Sequence, residues 1–308
     1  MQNKAKASFL VFFLMVFISQ AAYAEDFPGI RAMGMGGALR SAATGNSALL
    51  LNPAGMSLIN SYVIAAEYGY GLRRNGHVAH VSVVDSITSK NIAAGLYYNF
   101  FSARPEVFSP GIEDSLRLGK QGHQAGLALS VPFGSHFILG ANARYQYFKT
   151  TAKIRDAETG EHSDFTADSV NTVGLDIGAV VRLSQNFNFS IVGVNLIPTS
   201  SMEAPLQLNT GLAFSYGKHF LAAFDVCLDF DVPERKKMVN VRGGVEGFLG
   251  DIIVIRAGSL YKSYWDSAHV TAGLGYVNPK IAIDLGFSQQ VKAGVETQLG
   301  LSLRMFLN

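Results

Sequence analysis

The residues able to do chemistry fall into three sets in this sequence. The first is a dispersed set of charges: Glu67, Arg144, Asp176, Arg182, Asp225, Asp229, Arg242, Glu246, Arg256, Asp284, Glu296 and Arg304. Each sits on the polar phase of a stretch whose alternate residues are apolar, and both signs are present. Charges taken out of water persist only when paired, so the set reads first as a bracing ion-pair lattice and second as a polar conduction path. The second set is glycine-rich, Gly34-x-Gly36-Gly37, followed by Asn52-Pro53-Ala54. A nucleotide loop is excluded: no strand precedes the glycines, Leu39 stands where a third glycine belongs, and no P-loop lysine follows. The third set is made of nucleophiles and imidazoles. His77, His80, His123, His136, His162, His219 and His269 are scattered. His77 and His80, three apart in a strand, point to opposite faces and make a poor metal pair. No Gly-x-Ser-x-Gly elbow occurs, and pairs such as Ser130 with His136 are not singled out by any spacing. The lone Cys227 excludes an internal disulfide and a cysteine zinc site, and reads as a small packed residue. No cofactor or metal is implied, and the expectation is a protein that is not an enzyme.

The elements that would position these residues follow from periodicity. From Ser61 onward the chain alternates. Val173, Leu175, Ile177, Ala179, Val181 and Leu183 fall on one face, with Thr172, Gly174, Asp176, Gly178 and Arg182 on the other. A period of two means strands with one apolar face and one polar or small face. Such runs occur near 61–70, 76–85, 90–101, 118–131, 135–153, 165–183, 186–197, 204–216, 218–230, 237–248, 251–260, 267–277, 279–288 and 294–307. The seventh is the weakest, because Ile191 and Val192 blur its phase. Fourteen is an even number, as a single-chain bacterial barrel requires. Tight turns at 132–134, 184–185, 217, 249–250 and 278 alternate with longer links at 102–117, 154–164, 198–203, 231–236 and 261–266. If the first strand runs outward, every long link falls outside, which is the outer-membrane pattern. A soluble β-sandwich would also alternate, but its strands centre on five or six residues. Aromatics near run ends (Tyr68, Tyr70, Tyr97, Tyr98, Phe100, Phe101, Tyr145, Tyr147, Phe148, Tyr261, Tyr264 and Trp265) read as interfacial girdles. The expected fold is all-β: a transmembrane antiparallel barrel of about fourteen strands.

Composition bounds the rest. Charged residues are 16% of the 308, and glycine contributes 32. A formal net charge of +2 excludes a general basic field for nucleic acid. Lys4 and Lys6, the apolar run from Ala7 to Ile18 and the end Ala22-Tyr23-Ala24 are the three parts of a secretory signal, with cleavage expected before Glu25. The apolar run is too short for a spanning helix. The expected organisation is a signal peptide at 1–24, an N-terminal plug at 25–60 and a barrel at 61–308.

The plug carries a resemblance. Arg31-Ala32-Met33-Gly34-Met35-Gly36-Gly37-Ala38 and Ala48-Leu49-Leu50-Leu51-Asn52-Pro53-Ala54-Gly55-Met56 resemble the N-terminal hatch of the FadL-type outer-membrane transport family, with its Asn-Pro-Ala motif. The resemblance implies a fourteen-stranded barrel plugged by that hatch, set in the outer membrane of a Gram-negative bacterium. It further implies passive uptake of hydrophobic or amphipathic molecules such as long-chain fatty acids. Gly34, Gly36 and Gly37 would act as hinges, with Asn52, Pro53 and Ala54 gating against the wall. Implied partners are outer-membrane lipid, a hydrophobic ligand and the barrel-assembly machinery. The chain is shorter than the fatty-acid transporters of the family, and a similar hatch start occurs in PorV-like secretion components. The alternative is therefore a non-transporting barrel that docks secreted proteins.

Overall fold

The computed structural model describes residues 27–104, 116–155, 162–197, 204–232, 236 and 238–307. The expected signal peptide, the link 198–203 and parts of the links 102–117, 154–164 and 231–236 lie outside the described residues.

The alternating runs form fourteen strands: β1 (Tyr62–Gly71), β2 (Gly76–Asp85), β3 (Ala93–Ala103), β4 (Leu116–Phe133), β5 (Phe137–Arg155), β6 (His162–Arg182), β7 (Phe187–Val194), β8 (Gln207–Tyr216), β9 (Phe220–Asp229), β10 (Val239–Leu249), β11 (Ile253–Lys262), β12 (Ser267–Val277), β13 (Ile281–Lys292) and β14 (Thr297–Leu307). Each pairs antiparallel with its chain neighbours, and β1 closes on β14 from Tyr62↔Leu307 to Gly71↔Gln298. Closure leaves no free sheet edge to template aggregation.

The two faces differ as the alternation demands. On β14, Leu299, Leu301, Leu303 and Met305 are exposed while Ser302 and Arg304 are buried. On β2, His80, Ser82 and Val84 are buried and Val81 is exposed. The polar phase therefore faces inward and the apolar phase forms the outer wall. Among the described residues no helix is long and apolar enough to cross a membrane. The strands could do so, because a tilted strand of about ten residues spans a bilayer core.

Three departures from the periodic reading are local. β7 ends at Val194 rather than 197, because Asn195 adopts a positive φ of 55° and turns the chain out of the sheet. Glu296 precedes β14 instead of lying within it. Tyr97, Phe101 and Phe148 are buried on the inner face rather than standing in a girdle. On β3, Tyr97 and Phe101 share the phase of Ala93, Gly95 and Asn99, and phase, not nearness to a strand end, decides which way a side chain points.

Residues 27–60 contain α1 (Ile30–Met33), α2 (Asn46–Leu51) and a 3₁₀ turn, Pro53–Leu58. These helices are too short to hold alone in water. What fixes them is burial: Ala32, Met35, Leu39, Ala48, Leu49 and Met56 form an apolar cluster with Val84, Ala93, Tyr97 and Ala213 of the strands.

Candidate functional site

The segment 27–58 follows a track of inward glycines on the wall. In register, Gly69 lies beside Gly300, Gly300 beside Gly286, and Gly286 beside Gly273. A Cβ at Gly300 would lie 2.1 Å from Ile30 Cδ1, and one at Gly273 would lie 3.2 Å from the Gly34 Cα. The track continues at Gly258 and Gly244, where a Cβ would come within 2.3 Å and 2.4 Å of the Met35 backbone. Across the barrel, Gly140 leaves room for the Ala54 backbone and Gly178 for the Asn52 amide. Glycine weakens a strand interior, and its usual reason for being there is close approach of another backbone. The sequence showed these glycines only as the small members of an alternation.

Of the glycines in the segment, Gly36 and Gly37 have φ of 67° and 79°. At Gly36 a Cβ would be 2.3 Å from Ser259 O, so position and backbone conformation both require glycine. Gly34 has an ordinary helical φ of −60°. Its carbonyl accepts from Thr271 Oγ1 at 3.2 Å, and that hydroxyl in turn accepts from the Gly36 N–H at 2.9 Å.

Asn52 caps the 3₁₀ turn, its Oδ1 accepting from Ala54 N at 3.2 Å, with Pro53 in the first turn. Its Nδ2 donates to Arg40 O at 3.0 Å and to Ala179 O of β6 at 3.4 Å. Ser130 Oγ of β4 donates to Ala54 O at 3.0 Å. His136 lies against Ser135, so Ser130 and His136 do not face one another.

The charged residues form connected groups around this segment. Arg31 donates a two-toothed pair to Glu246, Nε to Oε2 at 2.9 Å and Nη2 to Oε1 at 2.8 Å. Glu246 also accepts from Arg256 Nε at 2.6 Å. Asp284 then accepts from Arg256 Nη1 at 2.7 Å and from Arg304 Nη2 at 2.6 Å. This buried chain alternates in sign across β10, β11, β13 and β14. Asp225 Oδ2 accepts from the backbone N–H of Leu39 and Arg40, at 3.0 and 3.1 Å, and faces the Arg40 guanidinium. Arg242 is buried, opposite Asp225 in register and 3.4 Å from the place a Gly37 Cβ would take. Glu67 accepts from Ile30 N at 2.9 Å and Asn46 Nδ2 at 2.6 Å. Arg144 donates to Asp176 at 2.7 Å. Arg182 donates to Leu58 O at 3.2 Å, at the C-terminal end of the 3₁₀ turn. Asp229 is half-buried at the end of β9 and accepts from the Asp231 N–H. The sequence reading missed Arg31 and Arg40. The available signal was that they are the only charged residues between 27 and 60.

A second network runs along β2 to β5. His80 Nδ1 contacts Asn99 Oδ1 at 2.5 Å, Asn99 donates to Gln124 at 2.7 Å, and Gln124 to Gln146 at 3.1 Å. Gln146 and Arg144 both donate to Asn195 Oδ1. Among the described residues no cluster of His, Cys, Asp or Glu has the makings of a metal site.

Two cavities open between the segment and the long-link end of the barrel, sharing Phe27, Pro28 and Phe101 as a common wall. One, of about 730 Å³, is bounded by Arg40, Arg144, Arg242, Gln146 and Asn195. The other, of about 680 Å³, lies against Met33, Tyr70, Val78, Arg74 and Glu296. Both volumes include space open to solvent. They differ in character, the first rich in guanidinium and amide groups and the second mostly apolar.

No family model matches the chain, and no curated protein matches it. Solved structures do. The Pseudomonas putida toluene transporter TodX is 15% identical with a TM-score of 0.64, covering 91% of this chain and 98% of that one. The Ralstonia pickettii toluene transporter TbuX is 11% identical with a TM-score of 0.69, again covering 91% and 98%. A Pseudomonas aeruginosa FadL homologue is 12% identical with a TM-score of 0.66, covering 90% and 97%. At such identities the likeness is one of fold, and the fold of this chain is the FadL-type fourteen-stranded antiparallel barrel.

Proposed function

We propose that this protein is an outer-membrane channel for passive uptake of hydrophobic or amphipathic small molecules, long-chain fatty acids among them. Residues 1–24 direct export, and the barrel-assembly machinery inserts the product among outer-membrane lipids. Residues 25–60 act as a hatch. A solute enters from the long-link end, leaves water in the cavities above the hatch and passes when the hatch shifts. Gly34, Gly36 and Gly37 accommodate that shift, and Asn52, Pro53 and Ala54 hold the resting position.

The observation that carries this reading is the pair of cavities, one of them mostly apolar, that open on segment 27–58 inside a barrel whose outer face is apolar. Support also comes from the toluene transporters that share the fold. Gram-negative cells lacking their own uptake channel should accumulate labelled toluene or oleate faster when this chain is expressed. Unchanged accumulation, together with a stably co-purifying secreted protein, would favour a docking barrel instead.

A further inference from the structure

In the mostly apolar cavity, which is also lined by Arg74, His77, Ser102, Lys120 and Gln298, one acidic side chain stands out. Glu296, in the four-residue link between β13 and β14, has a side chain only 3% exposed. It lines the cavity beside Tyr70, Gly71, Val78, Met33 and Phe101. Neither of its carboxylate oxygens closes a hydrogen bond. The nearest cationic atom is Arg74 Nε at 3.9 Å, close enough to balance the charge and too far to saturate the oxygens. The wall opposite is shaped to leave it space: a Cβ at Gly71 would lie 2.6 Å from Oε1. The link itself is held in place independently, since Gln290 N donates to Glu296 O at 2.8 Å and Gln289 Nε2 reaches the same oxygen. The carboxylate is thus held still, desolvated and short of donors.

A buried acceptor without a donor is costly, and the cost is recovered by any group that supplies the hydrogen bond. We propose that this cavity takes an apolar molecule carrying one O–H or N–H donor, a phenol or an alcohol, whose donor is accepted by the Glu296 carboxylate. A neutral donor fits better than a free amine, because Arg74 already balances the charge. An apolar body fits because Phe27, Pro28, Met33, Tyr70, Val78 and Phe101 make up most of the wall, with the polar Lys120 and Gln298 also among its lining. Burial holds the Glu296 carboxyl above the usual carboxylate range, against the lowering pull of the Arg74 charge, the nearby Arg74 backbone N–H and the Arg73 charge. The site deepens the uptake reading and rests on it.

The test is binding of three matched probes, p-cresol, 4-methylanisole and toluene, to the detergent-solubilised full chain by titration calorimetry. Wild type should bind p-cresol about tenfold more tightly than 4-methylanisole, which has the oxygen but no donor. Glu296→Met should bring the two within about twofold while toluene binding is unchanged. Glu296→Gln, which keeps a neutral acceptor, should fall between. Equal binding of p-cresol and 4-methylanisole to wild type, a comparison that needs no variant, would overturn the proposal and leave the apolar cavity intact. A preference that survives in Glu296→Met would overturn it too. Failure of wild type to bind any of the three would overturn both this site and the uptake reading.

Discussion

Arg31 of α1 and Glu246 of β10 are 215 residues apart in sequence and meet through two hydrogen bonds in the interior of the barrel. The arginine fork is matched to the carboxylate, a geometry that lysine cannot reproduce. Because Glu246 is shared with Arg256, and Asp284 joins Arg256 to Arg304, the segment is fastened to a lattice spread over four strands.

Removing one partner of a buried pair leaves the other charge stranded, at a cost of about 3–5 kcal/mol. Arg31→Ala should therefore loosen segment 27–58 while the barrel, held by its own ladder, stays closed. Proteolysis within 27–58 should rise at least tenfold, with the heat-dependent gel shift of a folded barrel retained. Arg31→Lys should give an intermediate rate. Equal protection of all three proteins would rule out the fastening role.

The glycine track makes a separate prediction. Gly258→Ala places a methyl 2.3 Å from the Met35 backbone, and Gly140→Ala places one 2.3 Å from Ala54 N. Neither neighbour is the flexible end of a side chain, so the segment must shift. Both variants should expose the segment to protease, whereas alanine at Gly247, where a Cβ would meet nothing within 4 Å, should not.

Asn52 joins the 3₁₀ turn, the Arg40 carbonyl and β6. Loss of a capping residue costs about 1 kcal/mol, and two further hydrogen bonds go with it here. Asn52→Ala should fold and insert, yet change the rate of labelled-solute uptake by several-fold. An unchanged rate would remove Asn52 from the gating machinery.

The pH dependence follows from Glu296. Its carboxyl is raised by burial, so the folded protein binds the proton more tightly than the unfolded chain does. The resulting stabilisation is complete below the unfolded carboxylate value, near 4.3. It is lost as pH rises through the raised folded value. Thermal melts in detergent should thus show a component that declines from acid toward neutral pH, and Glu296→Gln should abolish that component and melt higher at pH 7. A melt whose pH profile is identical in wild type and Glu296→Gln would contradict this.

Much of the wall was legible because burial on one face writes a period of two into every strand. β2 and β12 have the expected ends, Gly76–Asp85 and Ser267–Val277. The faces of Asp225, Glu246 and Arg256 followed from the same rhythm. What periodicity does not encode is partnership across the interior. The contact of Arg31 with Glu246 depends on the path of a segment that has no period of its own. Tyr97 was misplaced because closeness to a strand end was weighed above phase. The early end of β7 was invisible because Asn195 turns with a positive φ that asparagine tolerates and no spacing announces.

The three strands β4, β5 and β6 have 18, 19 and 21 residues, while β7 beside them has eight. At roughly 3.3 Å per residue the longest measures about 70 Å, well over twice what a hydrocarbon core absorbs. With the other strands having only eight to twelve residues, the rim becomes a crest, tall along the arc of three strands and lower along the other eleven. If that end faces outward, as the uptake proposal has it, antibodies, phages or neighbouring cells would meet that arc first, and reagents aimed at the entrance would be screened on one flank only.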